Sequence, residues 1–182
     1  MRDYLLLYVN DRRYEVRDRA FVSLSTFLRE DLGLFGTKIV CAEGDCGSCT
    51  TLLGLPEGET IRYRPVCSCI QYLFQLDCAH IVTVEGLSYD GRLNPLQESM
   101  VRCQGSQCGF CTPGFVVSMC SLLDRETVPT EQNWRRGLTG NLCRCTGYEA
   151  ILKAGMETDQ AGTAPIEFAL RYANDRRRFA EP

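Results

Sequence analysis

Short β-rich runs open the chain, and this strand pattern gives way to a helical period in the second half. Residues 4–9 and 12–17 are short β-rich runs on either side of Asn10-Asp11, a two-residue turn that predicts a hairpin. Ser23 then caps a predicted short helix whose Leu24, Phe27 and Leu28 share one face at i, i+3, i+4 spacing. Arg29, Glu30 and Asp31 turn outward, and Gly33 is placed to end it. Strand-like runs return at 50–53, 61–66 and 80–85. After Gly86 the stretch 87–94 is polar and turn-rich, which marks a linker.

Beyond that linker the strand period does not return. Asn94-Pro95 is a cap followed by a proline at the first helical position, with Leu96, Met100 and Cys103 on one face. A second helix is predicted from Pro113 to about Asp124. Its Phe115, Val116, Val117, Met119, Cys120, Leu122 and Leu123 are apolar on nearly every side, so it should be the most buried. Thr130 caps a third helix with Trp134 and Leu138 at i, i+4, and a fourth begins near Gly147 and carries Ile151, Leu152 and Met156. Residues 87–157 therefore read as a small helical bundle, and 158–182 as a tail or docking arm.

Composition narrows the function. A net charge of −3 gives no electrostatic reason to expect nucleic acid as a partner, and Arg176-Arg177-Arg178 reads as a solvated face beside Asp175 and Glu181. The apolar run Leu5–Val9 is too short for the core of a signal peptide, and no segment approaches the roughly 20 apolar residues of a membrane span. The expectation is a cytoplasmic protein with no membrane span, where thiols stay reduced and clustered cysteines point to metal rather than disulfides.

Twelve cysteines are present, and their spacing carries the chemistry. Cys41-x4-Cys46-x2-Cys49 with a later fourth thiol is the plant-type [2Fe–2S] pattern. Gly44 and Gly47 free the loop backbone, so bare amides can point at sulfur. Strands around one helix, carrying this loop, describe a β-grasp ferredoxin-like domain over 1–86. For the fourth thiol Cys67 and Cys69 stand at i, i+2 just beyond a strand, and local chemistry leaves both open. A second set joins Cys108-x2-Cys111 to Cys143-x-Cys145. Thr112 and Thr146 are placed as N-caps, the latter in a T-x-x-E capping box with Glu149, so two helix N-termini would converge on one anionic centre. Four thiolates also suit structural zinc, which defines a competing interaction module without redox function. Cys120 reads as a buried small apolar residue, and His80, the one histidine, as a strand-edge residue.

Three stretches carry a family resemblance: Gly36-Thr37-Lys38 leading into Cys41–Cys49, Gly105-Ser106-Gln107-Cys108-Gly109-Phe110-Cys111-Thr112-Pro113-Gly114, and Gly140-Asn141-Leu142-Cys143-Arg144-Cys145-Thr146-Gly147-Tyr148. Over residues 4–157 they resemble the iron–sulfur (small) subunit of the xanthine dehydrogenase family of molybdenum hydroxylases. The resemblance implies an α+β chain: an N-terminal β-grasp 2Fe–2S ferredoxin-like domain (1–86), then a C-terminal four-helix 2Fe–2S-binding domain (87–157). It also implies two [2Fe–2S] clusters on this chain, with the molybdopterin cofactor on a large partner subunit and FAD on a flavin-binding subunit. In the family the fourth ligand of the first cluster follows a serine at a set distance before a V-T-V-E-G-like segment. Ser68-Cys69-Ile70 before Val82–Gly86 matches, selecting Cys69 over Cys67. Gln107 falls where the family glutamine lies against the pterin. Three positions depart from the pattern: Val40 for a glycine, Gln104 for a histidine, and Cys78-Ala79 for a turn glycine after Asp77.

The function expected is electron transfer from a molybdopterin centre through Cys108/Cys111/Cys143/Cys145 and then Cys41/Cys46/Cys49/Cys69 to FAD, in an oxidoreductase whose substrate chemistry lies on another chain. Purines such as xanthine come first as substrate, with carbon monoxide, aldehydes and N-heterocycles as alternatives. An independent two-cluster carrier is the further alternative, against which the helical half argues, because a free carrier needs only the first cluster. No Ser/His/Asp triad or G-x-G-x-x-G loop is available for catalysis on this chain.

Overall fold

The computed structural model describes residues 3–10, 12–57, 60–88, 91–125 and 128–158. The predicted hairpin is β1 (Leu5–Val9) against β2 (Arg12–Val16), with Val9 opposite Arg12 and Asn10 in the left-handed region at φ 53°. Asp11, the other turn residue, and the arm proposed from 159 onward lie outside the described residues. Ser23 caps α1 (Leu24–Thr26), its Oγ accepting the Thr26 amide at 3.2 Å, and the helix widens into a π turn, Phe27–Asp31. Leu24, Phe27 and Leu28 are buried as their spacing predicts.

With β3 (Thr50–Glu57), β4 (Thr60–Cys67) and β5 (Ala79–Val82) the strands form one five-stranded sheet of order β2-β1-β5-β3-β4. β1 and β5 run parallel and the other neighbours antiparallel. Two expectations fail at β5. The strand ends at Val82 instead of continuing to 85, because the Asn10 side chain takes the Thr83 amide at 3.0 Å in place of a ladder bond, and Val84–Leu87 coil into a 3₁₀ turn. His80 is not at an edge: β5 is the central strand, and His80 is 1% exposed. Its Nε2 lies 2.6 Å from the Asn10 carbonyl and its Nδ1 2.7 Å from the Tyr63 hydroxyl. A carbonyl only accepts, so in the neutral ring Nε2–H donates and Nδ1 receives the tyrosine proton.

The pleat divides the core. Leu7, Val9, Ala79 and Ile81 face α1 and the segment around Leu73 and Leu76, while Leu52, Tyr63 and Val82 face the helical half. There α2 (Pro95–Arg102), α3 (Thr112–Arg125), α4 (Glu131–Gly137) and α5 (Glu149–Met156) pack together, with α3 laid on β3 and β4. One apolar cluster thus runs from sheet to helices without a break. Asn94 and Thr130 cap α2 and α4 in capping boxes with Gln97 and Asn133. Trp134 is fully buried against Gly155, where a Cβ would come within 2.9 Å of the indole. Truncating such a side chain costs ~3–5 kcal/mol.

The helix ends differ from expectation. Thr112 is the first residue of α3, and its hydroxyl donates to Ser106 Oγ at 2.8 Å instead of capping. α5 begins only at Glu149, after Gly147 at φ 64° and Tyr148 at φ 70°, so the Thr146–Glu149 capping box does not form. Met156 is 45% exposed, and Cys120 is half-buried with its thiol accepting from Asn94 Nδ2 at 3.7 Å. At two of the three departures, Cys78 (φ 60°) and Gln104 (φ 55°), a non-glycine residue occupies the left-handed region. Such residues cost on the order of 1–3 kcal/mol each and are held by context. The Cys78 amide is tied to the Leu6 carbonyl at 2.7 Å and the Gln104 amide to Val101 at 3.1 Å.

Candidate metal centres

The loop 41–49 bends back on itself through three left-handed residues, Ala42 (φ 58°), Gly44 (φ 85°) and Gly47 (φ 69°). The two glycines were legible in the sequence; Ala42 was not. The curl turns backbone amides inward. Those of Glu43 and Cys46 are the main reason the Cys41 thiol is drawn down to about 6, and the Cys46 amide stands 3.5 Å from Cys41 Sγ. Cys49 sits where the loop enters β3, and the Ser68 hydroxyl fixes it by donating to its carbonyl at 2.6 Å.

Both candidates for the fourth thiol reach this loop, and the backbone of Gly44 treats them oppositely. Its N–H donates to Cys69, whereas its C=O accepts from the Cys67 thiol at 3.4 Å. Burial, followed by the neighbouring Cys49, raises Cys69 to about 12 and Cys67 to about 11. Both thiols reach Cys49, as i, i+2 spacing had predicted, although Ser68–Ile70 leave the strand in a 3₁₀ turn.

The second set is gathered by two loops that meet. Cys108 and Cys145 lie side by side with sulfurs 3.6 Å apart, and Cys111 is hydrogen-bonded to Cys143. Burial raises Cys111 to about 12. Cys143 is pulled below the usual thiol range: burial opposes this, but the Thr146 hydroxyl and amide outweigh it. That hydroxyl is 3.1 Å from Cys143 Sγ, and the Tyr148 hydroxyl accepts the Cys143 amide at 3.1 Å. The Thr146 hydroxyl thus serves the sulfur and also accepts the Tyr148 amide at 3.2 Å ahead of α5, and only α3 begins directly at the thiols. Cys111 and Cys143 are buried and Cys108 and Cys145 exposed. Gln107 is exposed beside Cys108.

The loops of the two sets touch. The Leu142 amide donates to the Cys46 carbonyl at 3.0 Å, and Asn141 Nδ2 donates to the Gly47 carbonyl at 3.1 Å. The approach depends on missing side chains: a Cβ on Gly47 would stand 2.2 Å from the Gly140 carbonyl, and one on Gly114 2.1 Å from the Gly47 carbonyl. Sequence reasoning missed Asn141, which is buried between the loops.

The donor sets fit an iron–sulfur core. Side-chain hydrogen bonds join Cys41 with Cys46, Cys49 with both Cys67 and Cys69, Cys108 with Cys145 and Cys111 with Cys143. Two thiolates per metal is what a two-iron core requires. Among the described residues, no group of three His, Cys, Asp or Glu side chains is gathered to hold a single metal ion.

The [2Fe–2S] binding domain family matches residues 83–156. The fold superposes on quinoline 2-oxidoreductase from Pseudomonas putida 86 with a TM-score of 0.74 and 38% identity, covering 96% of each chain. The aldehyde oxidoreductase of Desulfovibrio gigas gives a TM-score of 0.74 at 31% identity over 98% of this chain and 18% of that one. Aldehyde oxidase 2 of Cavia porcellus is 43% identical over 157 residues, and xanthine dehydrogenase 2 of Arabidopsis thaliana 44% identical over 154. These alignments cover 84% and 82% of this chain but only 12% and 11% of the curated relatives' own length. Together they define a 2Fe–2S protein of mixed α/β architecture from an oxidoreductase family. The chain belongs to the xanthine dehydrogenase family of molybdenum hydroxylases, as its iron–sulfur part.

Proposed function

We propose that this chain is the electron-transfer subunit of a molybdenum hydroxylase. In this reading 1–86 is a β-grasp ferredoxin-like domain and 87–157 a four-helix domain, and two [2Fe–2S] clusters are held by Cys41/Cys46/Cys49/Cys69 and Cys108/Cys111/Cys143/Cys145. When bound, these clusters supply one-electron redox centres between a molybdopterin centre and FAD, both on partner chains. The observation that carries the reading is the bond from the Leu142 amide to the Cys46 carbonyl. It links a proposed ligand of one centre to the residue beside Cys143, a proposed ligand of the other, through backbone and a single hydrogen bond.

The chain's own residues then have distinct tasks. Loop amides stabilise sulfur charge at Cys41, and the Thr146 hydroxyl does so at Cys143. The exposed pair Cys108 and Cys145, with Gln107 beside them, faces the molybdopterin partner, and the 41–49 side faces the flavin partner. Among the described residues no helix is long and apolar enough to cross a membrane, and we assign the chain to the reducing cytoplasm, where its thiols stay available for iron. Purines are our first substrate class. N-heterocycles come second, from the likeness to the quinoline enzyme. Anaerobic purification should give four irons and four acid-labile sulfides per chain with molybdenum in a copurifying subunit; two zincs and a colourless protein would refute the reading.

A further inference from the structure

The first thiol set has one sulfur too many. Four thiolates complete a [2Fe–2S] core, yet Cys41, Cys46, Cys49, Cys67 and Cys69 all border the same loop. The fifth, Cys67, touches Cys49 as Cys69 does, but it alone donates its S–H to a backbone carbonyl of the loop, that of Gly44, at 3.4 Å. Cys69 faces the N–H of the same residue, which stabilises sulfur charge. Gly44 is the hinge between them. Its φ of 85° turns its peptide bonds out of the ordinary direction, and Ile70 packs so closely that a Cβ there would stand 2.6 Å from Ile70 Cδ1. Cys67 itself is held opposite Thr50 at the end of the β3–β4 ladder, beside Cys49.

We propose that Cys67 is a positioning residue and not a ligand: by donating its S–H to the Gly44 carbonyl it anchors the left-handed turn that aims the Gly44 N–H at the Cys69 sulfur, and so helps set the reduction potential of the first cluster. This rests on the two-cluster reading above. Hydrogen bonds to ligand sulfur favour the more negative, reduced core and raise its potential. Losing the anchor therefore makes the first cluster harder to reduce.

The test is a redox titration of the loaded holoprotein, followed by the paramagnetic signal of each reduced cluster, on wild type and the Cys67→Ala, Cys67→Val and Cys67→Ser variants, with iron counted in each. All three should keep the full iron complement. Alanine and valine, which cannot donate, should lower the first cluster's reduction equilibrium by up to about tenfold, about 59 mV for a one-electron couple. Serine, which donates, should stay near wild type, and the second cluster should not move. Equal shifts in all three variants would assign Cys67 a packing role, and no shift in any would remove its role altogether; either overturns the proposal. Loss of half the iron in Cys67→Ala would overturn it by making Cys67 the ligand. A wild-type protein without two clusters would instead refute the underlying functional reading.

Discussion

The two thiol sets solve the same coordination problem in different ways. The first is wrapped by its own loop: Cys46 and Cys49 are buried, Cys41 and Cys69 half-buried, and the amides that favour charged sulfur come from within the nine residues 41–49. The second is made where two separate loops meet, and its thiols divide into a buried pair, Cys111 and Cys143, and an exposed pair, Cys108 and Cys145. A loop that closes on itself carries its own shielding. A site between loops leaves an open side, which in the proposed assembly the molybdopterin subunit covers. In the proposed relay, an electron would enter at the exposed pair and leave through the enclosed loop.

Ligand loss breaks the comparison most severely. Cys69→Ser should remove the first cluster's half of the iron and leave the second cluster's signal, while Cys111→Ser should do the reverse; metal analysis with low-temperature spectra reads both. Should Cys69→Ser keep all its iron with an unchanged spectrum, the pairing of Cys49 with Cys69 is not the ligand arrangement.

Next in size is the joint between the sets. Gly47→Ala places a side chain on a residue at φ 69° and against the Gly140 carbonyl. The backbone conformation alone costs on the order of 1–3 kcal/mol, and the clash adds to it. The variant should melt well below wild type and lose iron from both sets, because Gly47 belongs to one loop and presses on the other. A wild-type melting temperature would mean that the loops do not meet this closely.

A milder variant isolates the link itself. Leu142→Pro removes the N–H that donates to Cys46. The stability lost should be at least the ~0.5–1.5 kcal/mol of one hydrogen bond, with the proline's constraint on its own φ and on Asn141 adding to it, both clusters should stay, and electron exchange between them should slow. The smallest effect concerns the metal-free folded chain at pH 7, where iodoacetamide should label Cys41, drawn down to about 6, well ahead of Cys69 and Cys111, raised to about 12. Mass spectrometry of the labelled peptides orders them.

Much of this architecture was legible because its causes are local. The β1–β2 hairpin, the Ser23, Asn94 and Thr130 caps and the buried positions of α3 follow from periodicity and short-range hydrogen bonding. What failed depended on partners distant in sequence. His80 looked like an edge residue because nothing near it announces that β5 inserts between β1 and β3. Thr146 matched a capping box, yet its hydroxyl was claimed by Cys143, and two left-handed residues delayed α5. The thiol spacing suggested both sets, but the different contacts of Cys67 and Cys69 with Gly44 depend on how that residue's backbone is turned, and the Asn141 bridge on a contact between loops some 94 residues apart.

The central claim is an ordered relay from the exposed set to the enclosed one. It is tested most directly by Cys49→Ala in the assembled enzyme, followed by rapid-freeze spectroscopy after mixing with substrate. The account predicts that substrate still reduces molybdenum and the cluster at Cys108, Cys111, Cys143 and Cys145, while flavin reduction slows sharply. Flavin reduction at the wild-type rate would contradict it, because electrons would then reach FAD without passing through the first loop.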